Sequence, residues 1–586
     1  MKITFDNWTF GLWTAGPTSK APKGTLTRMQ NVEVNDEGSI KTRRGCSNYV
    51  TIADTVDGAF VANTHFFKDS SGNIYTSTGV DTTIDQTGRR LRIIGMPRFG
   101  LADDIVFFPI SMKKWYDSTV SNWGISKTPN TPLSALGAAG QLTGDYTYRL
   151  AFYNSSTLVT GALSDYSTEL SPVAQQIDLD GIPNIVADSQ VTHVNIYRTA
   201  GGIDSSWYYV DRVALGTSTY TDNIPDLGLG DLVSIYMMAP PTANVAARYK
   251  NRMLLFDTTI NPRYGYVSLA YEPEVFHETQ YDLVANSGDT VEAAIQVGDY
   301  CYIFGKNAIY QLQVDSSGLI ATTSHPTLVG TPNGRTIAAG GNGIFYLGYD
   351  GIYLLKGFTS VIESLTATKM SDNINALFRG IDRGGLSTIY DMSMTFGTYV
   401  GGRYYFTYYG NDLVWHTLVY NETRQRWKHF TGWLYTAEPI TGAYPIVGLE
   451  NSVGLHDQDE TDDDGTAFAT SCGFNLLFHG AGGLAETALY DVRRFRISVQ
   501  SEGLVTVSFY DGATLKYSVV LDSPTFGDAY TKHSVPADSS YFTQPEVRVS
   551  STEAFTLQLL EVDIYPVRKH LLDYSIIGSQ VEAGGE

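Results

Sequence analysis

Two stretches of this sequence hold residue types that could carry out catalysis or bind a metal. The first, His479-Gly480-Ala481-Gly482-Gly483, could offer backbone N–H groups as an oxyanion hole. Such a loop works together with a G-x-S-x-G nucleophile elbow on an α/β sheet, and the sequence contains no such elbow. We therefore interpret this stretch as a glycine-rich connection between strands.

The second stretch is the acidic run from Asp457 to Asp464, which could ligate calcium through carboxylate oxygens. With Gly465 aligned to the loop glycine of an EF-hand, carboxylates precede it at alternate positions, but the closing position is Ser471 instead of a bidentate Glu. The pattern therefore favours a solvated loop, and a non-standard calcium site is the alternative.

Three basic clusters could contact anions: Lys41-Thr42-Arg43-Arg44, Arg89-Arg90-Leu91-Arg92 and Arg493-Arg494-Phe495-Arg496. They belong to a chain whose formal net charge is −21. Binding a nucleic acid requires an extended basic surface, because affinity grows with the number of phosphates that are neutralised. The sequence therefore favours contacts with an acidic partner subunit over nucleic-acid binding.

Other catalytic and metal-binding patterns are missing from the sequence. It contains no H-E-x-x-H, no Walker A motif and no G-x-G-x-x-G before a helix. The three cysteines (Cys46, Cys301 and Cys472) lie far apart and indicate neither a disulfide framework nor a zinc site. We predict no catalytic residues, no cofactor, no metal site and no enzymatic activity.

The elements that would have to position any site are strands. Residues 299–310 and 342–353 align without gaps at an offset of 43, and each reads as a hairpin. Asn307 and the Asp350-Gly351 pair are predicted to supply positive φ angles in the two turns. A further hairpin is predicted from 404–407 to 418–420. A period near 43 built from antiparallel hairpins is typical of a β-propeller blade.

The chain divides into five predicted regions, with proline-marked linkers near residues 129 and 240. Residues 1–128 are predicted to contribute propeller blades, and 129–240 to form an inserted immunoglobulin-like or fibronectin-III-like sandwich. Residues 241–457 hold the main blades, 466–569 form a C-terminal sandwich, and 570–586 form a loose tail. The predicted fold class is all-β, a β-propeller with two sandwiches, and one helix is expected after Ser371 or Asp372, with Ile374, Leu377 and Phe378 on its apolar face.

Several phrases of the sequence resemble proteins of bacteriophage tails. Residues 26–34, which end Asn31-Val32-Glu33-Val34, and residues 37–45 are similar to an opening with N-V-x-V followed by G-x-[IL]-x-x-R-x-G. Residues 249–256, then Asn261-Pro262 and Glu272-Pro273-Glu274-Val275-Phe276, resemble an N-R-L … N-P … P-E-x-F blade, and 420–427 fit a further blade. Together these segments resemble the tail nozzle family of short-tailed phages, also called the tail tubular protein B family.

The resemblance implies a structural and non-enzymatic role. Members of the family form a hexameric ring below the portal and its adaptor, which extends the DNA channel, gates genome exit and anchors tail fibres or spikes. We therefore expect a homo-oligomer in the virion tail, assembled in the host cytoplasm, with viral DNA passing through its lumen without specific binding. The acidic excess is expected to line that channel, since negative charge repels phosphates.

Two alternatives remain open from the sequence. One is a carbohydrate-binding or glycoside-hydrolysing propeller, in which Tyr and Trp stack on sugars and two carboxylates flank the bond. The other is a different phage tail part, such as a stopper or a baseplate component. No apolar run approaches the length of a membrane-spanning helix, and the N-terminus lacks the apolar core of a signal peptide, which favours synthesis and folding in a cytoplasm.

Overall fold

The computed structural model describes most of the chain as strands joined by short turns. The residues that it describes are 2–16, 20–35, 37–52, 56–61, 65–69, 71–76, 79–81, 92–96, 104–108, 112–116, 119–202, 205–325, 328–357, 365–437, 444–450, 452–456, 460, 462–476, 489–525 and 532–567. The predicted C-terminal tail and the glycine-rich stretch that begins at His479 lie outside these residues.

The first strands of the chain precede residue 240. They are β1 (Lys2–Phe5), β2 (Arg28–Gln30), β3 (Val32–Val34), β4 (Ile40–Thr42), β5 (Cys46–Thr51), β6 (Val56–Val61), β7 (His65–Asp69), β8 (Ile74–Thr76), β9 (Gly79–Asp81), β10 (Arg92–Met96), β11 (Asp104–Phe108), β12 (Lys113–Tyr116), β13 (Thr119–Asn122), β14 (Leu133–Thr143), β15 (Tyr148–Tyr153), β16 (Val173–Asp180), β17 (His193–Arg198), β18 (Trp207–Ala214), β19 (Tyr220–Asp222), β20 (Leu232–Val233) and β21 (Met237–Met238).

The strands from residue 243 onward are β22 (Ala243–Tyr249), β23 (Arg252–Thr258), β24 (Tyr264–Leu269), β25 (Glu272–Leu283), β26 (Val291–Val297), β27 (Tyr300–Gly305), β28 (Ile309–Val314), β29 (Ile320–His325), β30 (Ala338–Gly340), β31 (Gly343–Gly348), β32 (Gly351–Lys356), β33 (Thr366–Lys369), β34 (Thr395–Val400), β35 (Arg403–Tyr409), β36 (Trp415–Asn421), β37 (Arg426–Thr431), β38 (Tyr435–Ala437), β39 (Ile446–Gly448), β40 (Ser452–His456), β41 (Thr470–Asn475), β42 (Leu489–Ser501), β43 (Val505–Asp511), β44 (Thr514–Leu521), β45 (Lys532–Ser534), β46 (Tyr541–Phe542), β47 (Pro545–Ser551) and β48 (Phe555–Val567). Short 3-10 turns lie at Asp226–Gly228, Gly334–Thr336, Asp372–Ile374, Leu377–Arg379, Met392–Met394 and Ala537–Ser539.

One compact unit comprises residues 1–61 and 335–586. Two of its four-stranded antiparallel sheets follow chain order, β30 to β33 and β34 to β37. A third sheet runs β38-β39-β40-β5, so a strand from the start of the chain completes a sheet built from residues 435–456. One four-stranded sheet thus combines strands from both ends of this unit's sequence.

The same unit holds the C-terminal sandwich. Its larger sheet runs β3-β4-β48-β42-β45, with β1 on β48 and β46 on β42, and its smaller sheet runs β2-β41-β47-β43-β44. Strands from the first 42 residues therefore belong to both sheets of the sandwich. Apolar side chains from the two sheets share one core, in which Phe495, Val507 and Leu560 are buried.

The other compact unit spans residues 62–334. It contains the four-stranded sheets β10 to β13 and β26 to β29, and a five-stranded sheet in which β21 extends β22 to β25. The inserted sandwich lies here too, as the sheets β14-β16-β19 and β15-β17-β18-β20 around a core of their own. Strands β7, β8 and β9 of this unit pair in chain order. The predicted fold class, an all-β propeller with an inserted and a C-terminal sandwich, is confirmed.

The repeated hairpins are β27–β28 and β31–β32, in equivalent registers. The predicted positive φ angles are wrong, because neither Asn307 nor Asp350 nor Gly351 is among the residues with positive φ in this described part of the chain. The side chain of Asp350 instead accepts hydrogen bonds from Tyr353 Oη at 2.7 Å and Lys369 Nζ at 2.9 Å. Side-chain contacts to the adjacent strands therefore hold this turn.

The single predicted helix is wrong. Residues 371–380 form two separate 3-10 turns, and Gly380 ends the second with a φ of 71°. Ser371 does not cap a helix, since its hydroxyl accepts a hydrogen bond from the Ile352 backbone N–H at 3.0 Å. The apolar spacing reflects burial of Ile374 and Leu377 in the core beside the sheets.

Candidate anion-binding cleft

A cleft of about 490 Å³ opens in the compact unit of residues 1–61 and 335–586. Its lining combines six cationic side chains with two carboxylates, although acidic residues outnumber basic ones in the chain. The cationic residues are Lys41, Arg44, Arg403, Arg424, Arg426 and Lys428, and the carboxylates are Glu33 and Glu37. This excess of positive charge makes the cleft a candidate site for an anion.

Three separate parts of the chain build the cleft. The edge of the larger C-terminal sheet contributes β3, β4 and the turn between them, which ends at Ser39. The sheet β34–β37 contributes the turn end of its β36–β37 hairpin and the start of β35. The third part supplies Tyr444 and His456, the latter at the end of β40. Side-chain contacts join the first two parts, since Lys428 pairs with Glu33 and Arg426 donates to the Val34 carbonyl oxygen.

Lys428 and Glu33 form a buried ion pair on the cleft wall. Lys428 Nζ lies 2.7 Å from Glu33 Oε1, with side-chain exposures of 5% and 14%. Burial lowers the pKa of Lys428 to about 8, against the opposing charge of Glu33. Burial would raise the pKa of Glu33, but Lys428 and Arg403 together lower that pKa to about 2. The Glu33 carboxylate is therefore ionised and holds Lys428 in place.

Two arginines differ in how their guanidinium groups are used. Arg426 donates from Nη2 to the Val34 carbonyl oxygen at 2.7 Å and from Nη1 to the Thr9 carbonyl oxygen at 3.2 Å. Arg44 Nη1 is buried and has no hydrogen-bond partner among the described residues. Arg426 thus holds the wall together through its Nη atoms, although its Nε is also buried without a partner among the described residues, and Arg44 offers a buried donor to a ligand.

His456 is a deeply buried side chain of the cleft whose polar atoms all lack a hydrogen-bond partner among the described residues. Its residue is 3% exposed, and neither ring nitrogen has a hydrogen-bond partner among the described residues. The ring packs against Trp433 and Tyr444, with centroids 5.1 and 5.3 Å apart. Burial, reinforced by Arg43 and Arg403 and opposed by Glu33, lowers the pKa of His456 to about 4. At neutral pH the ring is uncharged and offers one donor and one acceptor.

The structure separates the residues of the first basic cluster. Lys41 and Arg44 line the cleft, whereas Arg43 is buried in an ion pair with Asp463. In the third cluster, Arg493 and Arg496 form ion pairs with Asp491 and Glu561. Residues 89–91 lie outside the described residues. The prediction that the clusters contact an acidic partner subunit stays a prediction.

The acidic run is divided as well, and residues 457–459 and 461 lie outside the described residues. Asp462 accepts a hydrogen bond from the Gly465 N–H at 2.9 Å, and Asp464 accepts one from Asn48 Nδ2 at 2.8 Å. Within the part of the chain that the structure describes, no group of three or more His, Cys, Asp or Glu side chains could hold a metal ion. Asp463 serves the fold through its pair with Arg43.

Sequence reasoning missed a buried chain of polar groups in the sheet β34–β37. His416 Nδ1 lies 2.8 Å from His429 Nε2, and His416 Nε2 lies 3.0 Å from Asp412 Oδ1. His429 Nδ1 lies 2.8 Å from the Met29 carbonyl oxygen, to which it must donate. Both ring nitrogens of His429 are occupied, so this ring serves as a structural link. The pairing of β36 with β37 places His416 near His429, and the sequence alone gave no signal of it.

Comparisons with known proteins identify no family for this chain. No family model matches this chain, and no curated protein matches its sequence. Solved structures similar to it include puromycin hydrolase, at 11% identity and a TM-score of 0.23, over 82% of this chain and 64% of that one. The WD40 domain of Toxoplasma gondii coronin matches at 9% identity and a TM-score of 0.20, over 71% and 88% of the two chains.

An exo-beta-1,3-galactanase from Phanerochaete chrysosporium also matches, at 10% identity and a TM-score of 0.18, over 73% of this chain and 100% of that one. The chain spans less than two thirds of the length of the puromycin hydrolase structures that it matches. In the described residues, no helix is long and apolar enough to cross a membrane.

Proposed function

We propose that this chain is a structural protein of a short-tailed phage, a tail nozzle that assembles into a hexameric ring. In this proposal the ring extends the DNA channel of the portal and adaptor, gates genome exit and anchors tail fibres or spikes. The chain would be assembled in the host cytoplasm and work in the virion tail, without enzymatic activity. Viral DNA would pass through the lumen without specific binding.

The places of the phage-like segments in the fold support a scaffold role. Asn31 donates through Nδ2 to Thr431 Oγ1 at 2.7 Å and to the Ala469 carbonyl oxygen at 2.9 Å. Its Oδ1 accepts from Arg43 Nε at 3.1 Å. Residues of the resembling opening therefore connect the N-terminal strands to strands about 400 positions away.

The second phage-like segment, residues 249–276, also has polar side chains that make contacts within the fold. Arg252 donates to the carbonyl oxygens of Ser268 at 2.7 Å and Ser316 at 2.9 Å. Glu274 is buried and accepts from Lys114 Nζ at 2.6 and 2.8 Å. These side chains stabilise the fold, so the phage-like residues support a structural role for the chain.

The observation that carries the proposal of self-assembly is the edge strand β14. This 11-residue strand lies at the edge of the sheet β14-β16-β19, and its sequence, LSALGAAGQLT, has no charged residue. Leu133 and Leu136 are 66% and 49% exposed. Edge strands of soluble monomers are usually blunted by charges, prolines or covering segments, because unpaired backbone groups invite another strand. A charge-free edge of this length supports contact between subunits.

The test is the assembly state of the full chain, measured by negative-stain microscopy and sedimentation velocity. We expect rings from the unaltered protein, and we expect Leu136→Lys to reduce the ring fraction strongly by placing a charge in the contact. Ile185→Lys is the matched control, because Ile185 is 86% exposed in the same sandwich but outside its strands. A compact monomer that cleaves a chromogenic glycoside would contradict the proposal.

In this proposal, the excess acidic side chains line the DNA channel. Negative charge facing DNA repels phosphates and keeps the duplex central. Particles that carry Asp or Glu to Lys substitutions at lumen positions should retain DNA during ejection. Unchanged ejection would count against an acidic lining.

A further inference from the structure

We propose that the cleft lined by Lys41, Arg44, Arg403 and Arg424 binds a compact anion with several linked phosphate groups. This inference goes beyond the proposed function and does not depend on it. Its starting point is local charge, since six Lys or Arg side chains face two Glu side chains around one cleft. One of the two carboxylates, Glu33, is already paired with Lys428 at 2.7 Å.

The buried donors on the wall indicate a ligand. Arg44 Nη1 and both ring nitrogens of His456 are buried without a hydrogen-bond partner among the described residues. Buried polar groups almost always have partners in native proteins, because leaving one unsatisfied costs about 1–3 kcal/mol. Phosphate oxygens would satisfy the Arg44 donor and the His456 N–H together.

The other residues that line the cleft favour a small phosphate compound over an acidic peptide. Apart from the His456 ring, Val34 and Tyr444 are the apolar or aromatic residues of this lining, so the cleft offers little surface to the side chains of a peptide. Guanidinium groups match phosphate oxygens in two-point hydrogen bonds, and four of the six cations are Arg. A volume of about 490 Å³ falls within the range of small-molecule sites. These features favour a small, highly charged phosphate compound over an acidic protein segment.

The experiment uses inorganic tripolyphosphate and isothermal titration calorimetry on the full chain. The double variant Lys41→Met/Arg424→Met removes two cations from the cleft, and the Arg424 side chain is exposed there. Arg248→Met/Lys516→Met is the matched control, because it removes the same charge from exposed positions outside the cleft. We expect saturable binding that weakens at least about tenfold in the cleft variant and changes less than about twofold in the control.

A third variant, His456→Phe, tests the buried ring while keeping its aromatic packing. We expect it to weaken tripolyphosphate binding by several-fold, while circular dichroism shows that the fold is retained. If tripolyphosphate binding weakened equally in the cleft and control variants, the effect would come from the net charge of the protein and not from the cleft. That result would overturn the proposal. The absence of saturable binding would overturn it as well.

Two further ligands distinguish the sources of negative charge. The proposal would be overturned if tripolyphosphate did not bind and a glutamate-rich peptide or a DNA duplex did. The affinity of that peptide or duplex would have to fall in the cleft variant and not in the control. The first result would indicate an acidic protein partner, and the second would indicate a nucleic-acid backbone.

Discussion

Arg43 and Asp463, 420 positions apart in the chain, form a buried two-point ion pair. Arg43 Nη1 donates to Asp463 Oδ1 at 2.9 Å, and Nη2 donates to Oδ2. Their side chains are 0% and 8% exposed. The guanidinium also lies over the rings of Phe468 and Trp433, with its carbon 3.7 and 4.8 Å from the centroids. This pair joins the segment that follows β4 to the acidic run.

Asp463→Asn should destabilise the unit of residues 1–61 and 335–586 by about 3–5 kcal/mol, because it leaves the Arg43 charge buried and unpaired. The urea midpoint of unfolding measures this change. Asp464→Asn is the control, since the neighbouring carboxylate is exposed and should matter by less than about 1 kcal/mol. Equal effects at the two positions would show that the ion pair is not important.

Gly45 approaches another backbone too closely for any side chain. A Cβ atom at this position would lie 1.7 Å from the Asp462 carbonyl oxygen, so Gly45→Ala forces the two backbone segments apart. We expect a loss of more than about 3 kcal/mol, read from the urea midpoint. Gly95→Ala in β10 is the control, because a Cβ there meets nothing within 4 Å. A stable Gly45→Ala protein would contradict this close packing.

Stability should fall as the pH drops from about 6.5 towards 4. The folded-state pKa of His456 is about 4, mainly because of burial, against an ordinary value of 6.5. Between these values the unfolded chain binds a proton that the folded chain does not, so acid favours unfolding. This residue alone should account for about 2 kcal/mol between pH 7 and pH 5.

His456→Phe should reduce that pH dependence, measured as the difference between urea midpoints at pH 7 and pH 5. A remaining slope is expected because burial also lowers the pKa of His429. An unchanged slope in the variant would show that His456 is not the group responsible.

The three cysteines should resist thiol reagents while the protein is folded. Cys46, Cys301 and Cys472 are all free and buried. Burial raises the pKa of Cys301 to about 12 and raises the pKa values of the other two, and only the thiolate reacts. Absorbance with a disulfide reagent should report no rapid reaction in buffer and three thiols in urea. Rapid labelling of the folded protein would contradict this burial.

Local sequence patterns determined the repeated hairpins without help from tertiary structure. The gapless repeat at an offset of 43 placed them at 299–310 and 342–353, because a strand, turn and strand are encoded by neighbouring residues. The same reasoning failed at residues 371–380. There the apolar spacing typical of a helix belongs to two 3-10 turns. Ser371, which precedes the first turn, accepts a hydrogen bond from the neighbouring strand β32 instead of capping a helix.

What the sequence could not determine is which distant segments meet. The cleft joins residues 33–44 to residues 403–428 and to His456, and the Arg43–Asp463 pair spans most of the chain. Local patterns report burial and strand period, whereas the closing of a sheet by β5 depends on pairing across about 400 residues. Tertiary structure alone therefore decided that Lys41 and Arg44 face a cleft while Arg43 is buried in the core.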